Sequence, residues 1–214
     1  MNSLLKHMAV AFLFAAVVHA AEFPAPAVDL PPANQPTAAA VFAGGCFWGV
    51  EAVFEHVHGV KQVTSGFAGG DAKSAHYEIV SGGRTGHAES VKILYDPSQV
   101  SYGKLLQVFF SVAHDPTTLN RQGPDEGTQY RSAIFYSDEE QNRVADAYIL
   151  QLTDARLFRH KIVTQLTPLN GFYPAEAYHQ HFLDRNRDYP YIVINDLPKL
   201  AKLKKEYPEL WIGK

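Results

Sequence analysis

Two kinds of apolar run alternate along this chain, and their order is the feature that most limits the folds it can adopt. Strand-like runs, each closely followed by turn-forming residues, cover 38–43, 60–67, 90–95 and 130–136. Apolar residues recur at helical spacing after Cys46 and again over 101–113. The order strand, helix, strand, strand, helix, strand predicts a ferredoxin-like plan, in which helices cover a sheet. The predicted fold class is therefore α+β.

Further elements are predicted after this core. A capping-box signature at 137–140 opens a helix that ends near Leu152. A strand is predicted over 162–169, and a proline in the first turn favours a short helix over 174–183. A last helix is predicted over 198–207. The fold thus gains additional elements towards its C-terminus.

The N-terminal part of the chain has a different pattern from the rest. Residues 1–20 resemble an export signal, with a basic start, an apolar run over 8–18 and small residues before a cut after Ala20. The run is shorter than the ~20 residues that a membrane span needs. Residues 21–36 are rich in proline and alanine and are predicted to be a flexible linker. We therefore predict an exported protein, periplasmic in a bacterium with two membranes, whose folded domain covers 37–214.

Composition narrows the functional classes. The chain has 214 residues, of which 46% are hydrophobic and 19% charged, as in ordinary globular proteins. Its net charge is −3, and its 19 basic residues are scattered, so no nucleic-acid partner is predicted. Membrane contact is not expected once the export signal is removed.

The chain has one cysteine, Cys46, which excludes an intramolecular disulfide. It follows Gly44 and Gly45 at a predicted turn from strand to helix, so its sulfur should lie at a helix N-terminus. The partial positive charge at that position favours thiolate over thiol. The sequence therefore predicts a reactive cysteine.

Two polar segments are the other candidates for a functional site. Residues 82–89 are rich in glycine and bring Glu89 to the start of a buried strand. Residues 122–132 are polar and lead into the next strand. Each segment is a weak signal by itself, because polar loops before strands are common.

The segment Gly45-Cys46-Phe47-Trp48-Gly49 resembles the signature of the class A peptide methionine sulfoxide reductases. Segments 85–89, 114–116, 129–132 and 175–180 also resemble motifs of that family and occur in the family's order. The similarity covers about 40–186. It implies a two-layer α/β sandwich with a ferredoxin-like core, in agreement with the order of elements derived above.

The resemblance also implies roles for individual residues. Cys46 would attack the sulfoxide sulfur, and Glu89 would donate a proton to the sulfoxide oxygen. Tyr77 and Tyr130 match two phenols that donate hydrogen bonds to the same oxygen. The acid must stay neutral near pH 7, and burial raises a carboxyl pKa in that direction. The implied products are methionine and a Cys46 sulfenic acid.

The substrate-binding residues follow from the same resemblance. Phe47 and Trp48 would form an apolar wall for the S-methyl group, and Asp125 matches a carboxylate that binds substrate or a site water. This class of enzyme accepts the S epimer of the sulfoxide. The expected substrates are methionine sulfoxide, free or in oxidised proteins.

The chain departs from many relatives in how its cysteine would be regenerated. It has no C-terminal cysteine to attack the sulfenic acid, and Ser81 occupies a position where some relatives have cysteine. An external thiol must therefore act as reductant, such as a thioredoxin, a glutaredoxin or a small thiol. No bound cofactor is implied.

Three other functions remain open from the residues alone. A cysteine hydrolase would need a histidine base, for which the candidates are His87, His114 and His179. A metal-binding module is disfavoured because the pairs His56 with His58 and His179 with His181 are two residues apart and do not share a helix face. An inactive thiol-bearing binding domain is the third alternative. No metal site is predicted.

Overall fold

The computed structural model describes residues 23–31 and 35–213, and its centre is a six-stranded sheet. The predicted export signal lies outside the described residues. The strands of this sheet are β1 (Ala38–Gly44), β2 (Val60–Ala68), β3 (Ala88–Tyr95), β6 (Ser132–Tyr136), β7 (Gln165–Pro168) and β8 (Phe172–Pro174). A separate two-stranded hairpin consists of β4 (Arg121–Gln122) and β5 (Asp125–Glu126).

Six α-helices of the described chain accompany the sheet. They are α1 (Phe47–Glu55), α2 (Tyr77–Val80), α3 (Tyr102–Val108), α4 (Glu139–Asp154), α5 (Phe182–Arg185) and α6 (Leu197–Glu206). A π-helical turn, Phe109–Ala113, extends α3, and a second one, Ile192–Asp196, leads into α6. Within the described ranges, every helix is too short or too polar to cross a membrane.

The strand order confirms the predicted plan. The sheet runs β7-β6-β1-β3-β2-β8, and its four central strands pair antiparallel. This is the order expected when the first and third strands of a ferredoxin-like unit lie at the centre. β7 adds a parallel strand at one edge, and β8 adds an antiparallel strand at the other. The α+β class and the two-layer architecture are confirmed.

The two faces of β1 belong to different apolar clusters, because successive side chains of a strand point to opposite sides. Phe42 joins the main core beneath the helices, where its ring centroid lies 5.7 Å from that of Phe54 and 4.9 Å from that of Phe109. Val41 and Ala43 join a smaller cluster on the other face. The helices therefore bury most of the apolar surface on one side of the sheet.

Residues 23–31 differ from the flexible linker that the sequence predicted. Phe23, Val28 and Leu30 pack against the core, and the backbone of this stretch bonds to side chains of α3 and α4. The backbone N–H of Gly103, in the first turn of α3, donates to Asp29 Oδ1 at 2.8 Å. A composition-based prediction could not detect this packing, because proline and alanine suit a docked extended segment as well as a flexible one.

We expect the Asp29→Ala variant to lose about 1–2 kcal/mol of unfolding free energy, because a buried helix-end N–H would lose its carboxylate acceptor. Denaturant unfolding measures this loss. Asp154→Ala, at the far end of α4, is the matched control. Equal stability of the Asp29 variant and the control would show that the 23–31 segment contributes nothing to the fold.

The predicted helix over 174–183 is wrong. Pro174 instead ends β8, whose register pairs it with Gly66 of β2, and α5 begins only at Phe182. Gln180 explains the difference, because its side chain bonds to both the N–H and the carbonyl of Ser65 at 2.9 Å. These contacts to the sheet edge replace helical hydrogen bonds that the sequence pattern favoured.

The helix predicted from the 137–140 signature is present, but its cap is shifted by one residue. Asp138, not Ser137, is the N-cap of α4, and its carboxylate accepts from the Gln141 N–H at 2.8 Å. The Gln141 side chain accepts in return from the Ser137 N–H at 3.1 Å. The other predicted helices and strands occur within a few residues of their predicted bounds.

Candidate active site

Cys46 lies in the turn between β1 and α1, where it is the N-cap residue of the helix. Gly45 makes the turn possible, because its φ is +91° and a Cβ there would lie 2.5 Å from the Gln122 side chain. The turn buries Cys46, which retains 8% of its exposure. The cysteine is thus held at a fixed point above the end of the sheet.

Glu89 is the second residue of β3 and is 2% exposed. Its Oε2 accepts a hydrogen bond from the backbone N–H of Phe47 at 3.0 Å, which ties it to the first turn of α1. Burial raises the pKa of the Glu89 carboxyl to about 8; the Phe47 bond opposes this effect, and the charge of Asp125 adds to it. The carboxyl is therefore protonated at pH 7, as the predicted acid requires.

The Cys46 thiol has a higher pKa than the sequence predicted. Burial is the largest cause, and the carboxyl groups of Glu89 and Asp196 also raise the pKa. The Trp48 backbone N–H lowers it but does not compensate. The expectation that the helix N-terminus makes Cys46 a thiolate is therefore wrong for the free enzyme. In the resting site both the Cys46 thiol and the Glu89 carboxyl carry their protons.

A cavity of about 120 Å³ brings the sequence-predicted site residues together, and we call it the substrate cavity. It is lined by Cys46, Phe47, Trp48, Tyr77, Glu89, Asp125, Tyr130, Tyr189 and Tyr191. All seven predicted site residues therefore line a single cavity. They come from five separate stretches of the fold, including α1, α2, β3 and β5.

The two predicted phenols keep their hydroxyl protons. Burial, followed by the charge of Glu89, raises the pKa of Tyr77 to about 12, and the same two causes raise the pKa of Tyr130. Within the described part of the chain, neither hydroxyl donates to a protein group. Both are therefore able to donate to an oxygen placed beside Glu89.

The indole of Trp48 is fixed from three sides. It stacks on Phe182 with centroids 3.8 Å apart and planes 10° apart, and it meets Tyr191 edge-on at 6.0 Å. Its Nε1–H donates to His179 Nδ1 at 3.2 Å. A flat, rigid apolar wall results, as an S-methyl group requires.

Site residues also follow position 186, where the sequence pattern predicted none. Tyr189 and Tyr191 line the substrate cavity, and the Tyr191 hydroxyl donates a short hydrogen bond to Asp125. Asp196 is fully buried near Cys46, where only a glycine at position 49 leaves room for its carboxylate. The two tyrosines flanking Pro190 were the available signal, since aromatic residues in a polar stretch suggest a binding role.

One group of side chains with metal-ligand chemistry occurs in the described ranges, away from the substrate cavity. Ligand atoms of Glu51, Glu55 and His181 lie within 4.8 Å of one another, and His181 Nδ1 lies 2.6 Å from Glu55 Oε1. The sequence signal for this group is the pair of glutamates four residues apart on α1, and the histidine pairs considered above do not include it. The absence of a metal stays a prediction.

A family model described as peptide methionine sulfoxide reductase matches residues 38–210. The chain belongs to this family. The reductase is 59% identical over 175 residues to peptide methionine sulfoxide reductase MsrA 2 of Mesorhizobium japonicum, which covers 82% of this chain and 90% of that protein. It is 54% identical over 189 residues to the protein of the same name from Synechocystis sp., covering 87% and 88%.

A solved structure agrees with the sequence relatives. Methionine sulfoxide reductase A of Corynebacterium diphtheriae superposes on the reductase with a TM-score of 0.62 at 37% identity, covering 72% of this chain and 77% of that one. The predicted family, enzyme class and reaction are thus confirmed. The protein is an oxidoreductase that reduces methionine sulfoxide to methionine.

The geometry gives no support to the cysteine hydrolase. His87 bonds to the Gly70 N–H and the Asp71 carbonyl, and His114 bonds to the Phe109 carbonyl and Ser132. Both ring nitrogens of each are therefore engaged. His179 Nδ1 accepts from the Trp48 indole, so the neutral ring carries its proton on Nε2, which has no partner in the described chain and offers no free lone pair.

We expect Tyr77→Phe and Tyr130→Phe each to slow methionine formation by about 100- to 1,000-fold, because each removes one predicted donor to the sulfoxide oxygen. Single-turnover kinetics measure the effect. Tyr178→Phe, which alters an exposed neighbouring phenol outside the substrate cavity, is the control. Rates equal to that of the control would remove both phenols from the mechanism.

Proposed function

We propose that the reductase converts methionine-S-sulfoxide to methionine with Cys46 as nucleophile and Glu89 as acid. One observation carries the proposal: a thiol and a carboxyl that is neutral at pH 7 line the same small cavity. Thiol attack on the sulfoxide is aided by protonation of its oxygen. Of the carboxyls that line this cavity in the described chain, Glu89 is buried, whereas Asp125 is half-buried and accepts a hydrogen bond from Tyr191.

The reaction can be written with these groups. Glu89 donates its proton to the sulfoxide oxygen, while Tyr77 and Tyr130 donate hydrogen bonds to the same atom. The Cys46 sulfur bonds to the substrate sulfur, and the thiol proton passes to the carboxylate of Glu89. The hydroxyl group then moves to the Cys46 sulfur, as the S–O bond of the substrate and the new S–S bond break. The substrate leaves as a thioether, Cys46 becomes a sulfenic acid, and Glu89 has its proton again.

The shape of the cavity accounts for selection of one epimer. The oxygen is held on the side of Glu89, and the methyl group is held against Phe47 and Trp48. With the sulfur next to Cys46 and its oxygen and methyl group fixed, only one epimer directs the rest of its side chain to the position that remains on sulfur. Asp125, held by Tyr191, is placed to bind the substrate backbone or a site water.

An external thiol completes the cycle, and we propose a thioredoxin-like protein or a glutaredoxin as its source. With one cysteine the chain cannot form an internal disulfide. Two thiols convert the sulfenic acid to thiol and water through a mixed disulfide. No bound prosthetic group is needed for this chemistry.

We propose that the reductase is exported, to the periplasm in a bacterium with two membranes, and that it repairs oxidised proteins there. The basic and apolar pattern of residues 1–20 supports export. Cell fractionation of a tagged full-length chain tests this. Recovery in the cytoplasm with an intact N-terminus would contradict the proposal.

A single turnover without reductant tests the chemistry. Enzyme lacking residues 1–20 is mixed with excess racemic N-acetyl-methionine sulfoxide amide, and methionine product and intact protein mass are measured. We expect about one equivalent of product, from the S epimer, with one oxygen added at Cys46. Product without oxygen on Cys46, or consumption of both epimers, would overturn the mechanism.

A further inference from the structure

Cys46 borders a second cavity besides the substrate cavity. This cavity has a volume of about 200 Å³, and its wall includes Gln122, Gly123, Asn195 and Lys199. The two cavities share only Cys46 and Tyr191. Cys46 and Tyr191 therefore border both a cavity that contains Glu89 and a cavity that does not.

We propose that this second cavity is the entry site of the reducing thiol, which attacks Cys46 from the side away from the substrate. The inference rests on the proposed sulfenic acid. In the first half-reaction the oxygen arrives from the substrate cavity, beside Glu89, Tyr77 and Tyr130. A thiolate displaces that oxygen in line with the S–O bond, so it has to approach the sulfur from the opposite side.

The charges of the two cavities agree with this division. The substrate cavity is bordered by the carboxyls of Glu89 and Asp125 and by no lysine or arginine among the described residues, which suits a neutral sulfoxide. The second cavity is bordered by Lys199, whose Nζ lies 3.1 Å from Asp196 Oδ1. The buried Asp196 carboxylate offsets part of that charge, so the attraction of Lys199 for an incoming thiolate is modest.

Asp115 is the carboxylate that borders the second cavity, and its charge opposes that attraction. Its Oδ1, however, accepts from the backbone N–H and the hydroxyl of Thr117, at 2.9 and 2.6 Å. The carboxylate is therefore held in its own turn. Its exposed position also weakens its field through screening by solvent and salt.

The step balances with a thiol as the only co-reactant. A thiolate bonds to the Cys46 sulfur, the S–O bond breaks, and the oxygen leaves as water with the proton of Glu89. The product is a mixed disulfide. A second thiolate then attacks the sulfur of the first reductant, and Cys46 leaves as thiolate. The two protons that the reductant thiols release restore the Glu89 carboxyl and the Cys46 thiol. Cys46 gains two electrons, and the two reductant thiols become a disulfide.

The test separates the two half-reactions. Asn195→Phe places a ring in the second cavity, opposite Gly123, and Lys199→Gln removes its cation. We expect the rate constant for reduction of preformed Cys46 sulfenic acid to fall at least about 10-fold in Asn195→Phe and about 3-fold in Lys199→Gln. The burst of methionine should change much less than the reduction rate in each variant.

Tyr189→Ala is the reciprocal control, because it alters the substrate cavity alone. It should slow the methionine burst more than it slows reduction of the Cys46 sulfenic acid. Reduction is measured with dithiothreitol and with a bacterial thioredoxin. If the rate of reduction falls with only one of the two thiols, that thiol is the one that enters through the second cavity. Burst and reduction falling in parallel, or unchanged reduction with both thiols, would overturn the proposal. Loss of the burst in the unmodified enzyme would instead refute the proposed function.

A measurement on the unmodified enzyme covers the case of variants that do not fold. Saturating N-acetyl-methionine amide, the product, is added to the sulfenic acid form before the thiol. Separate cavities predict an unchanged rate of reduction. Competitive slowing by the product would mean that thiol and product share one cavity, and would overturn the proposal.

Discussion

Cys46→Ser is expected to abolish methionine formation, with a loss of at least about 1,000-fold, the scale on which enzymes lose activity with their nucleophile. The reason is chemical rather than geometric. Sulfur accepts the oxygen and becomes a sulfenic acid, whereas a serine oxygen would have to form an oxygen–oxygen bond. Because this chain has one cysteine, no second thiol can substitute for it.

The control for Cys46→Ser is retained binding. The substitution changes one buried atom, and an unpaired buried hydroxyl costs about 1–3 kcal/mol, so the protein should remain folded. Near-unchanged affinity for the sulfoxide, measured by calorimetry, would show that only chemistry is lost. Methionine formation by the folded variant above the uncatalysed background would contradict the assignment of Cys46.

Local patterns predicted the turn that carries Cys46 and the strand that carries Glu89, whereas the family resemblance supplied the other five site residues. Gly45 and Cys46 end a buried strand and begin a helix, and this turn requires a residue that tolerates positive φ. Glu89 begins the third strand of the sheet, which the strand order places next to β1. Strand and helix periodicity therefore sufficed to bring these elements together.

Other features depend on contacts between distant segments, which periodicity does not contain. Asp196 approaches Cys46 only because α6 packs on α1 at Gly49. The raised pKa of Cys46 follows from that burial and from carboxyl groups far apart in sequence. Gln180 redirects its own segment to the edge of β2 through its side chain. Each of these is a tertiary effect that overrides a local preference.

Glu89→Gln is expected to slow methionine formation by about 100- to 10,000-fold, the usual contribution of a general acid. Glutamine preserves the shape of the side chain and can still accept the Phe47 N–H bond, but it has no proton to transfer. Glu78→Gln, at an exposed position on α2, is the control, and Glu89→Asp keeps an acid at a changed distance. A Glu89→Gln rate close to that of the control would exclude Glu89 as the acid.

The pH dependence distinguishes loss of an acid from loss of structure. Because the pKa of Glu89 is raised to about 8, the single-turnover rate of the unmodified enzyme should fall as pH rises past that value, and Glu89→Gln should lack this dependence.

The pH dependence of the unfolding free energy has the same origin, the raised pKa of Glu89. Between pH 4.5, the ordinary pKa, and about 8, the folded state holds a proton that the unfolded state releases, so stability falls as pH rises. Glu89→Gln removes this penalty, and its unfolding free energy should fall less over that range. A variant that is inactive yet at least as stable at pH 8 would identify Glu89 as a residue that costs stability and supplies the proton.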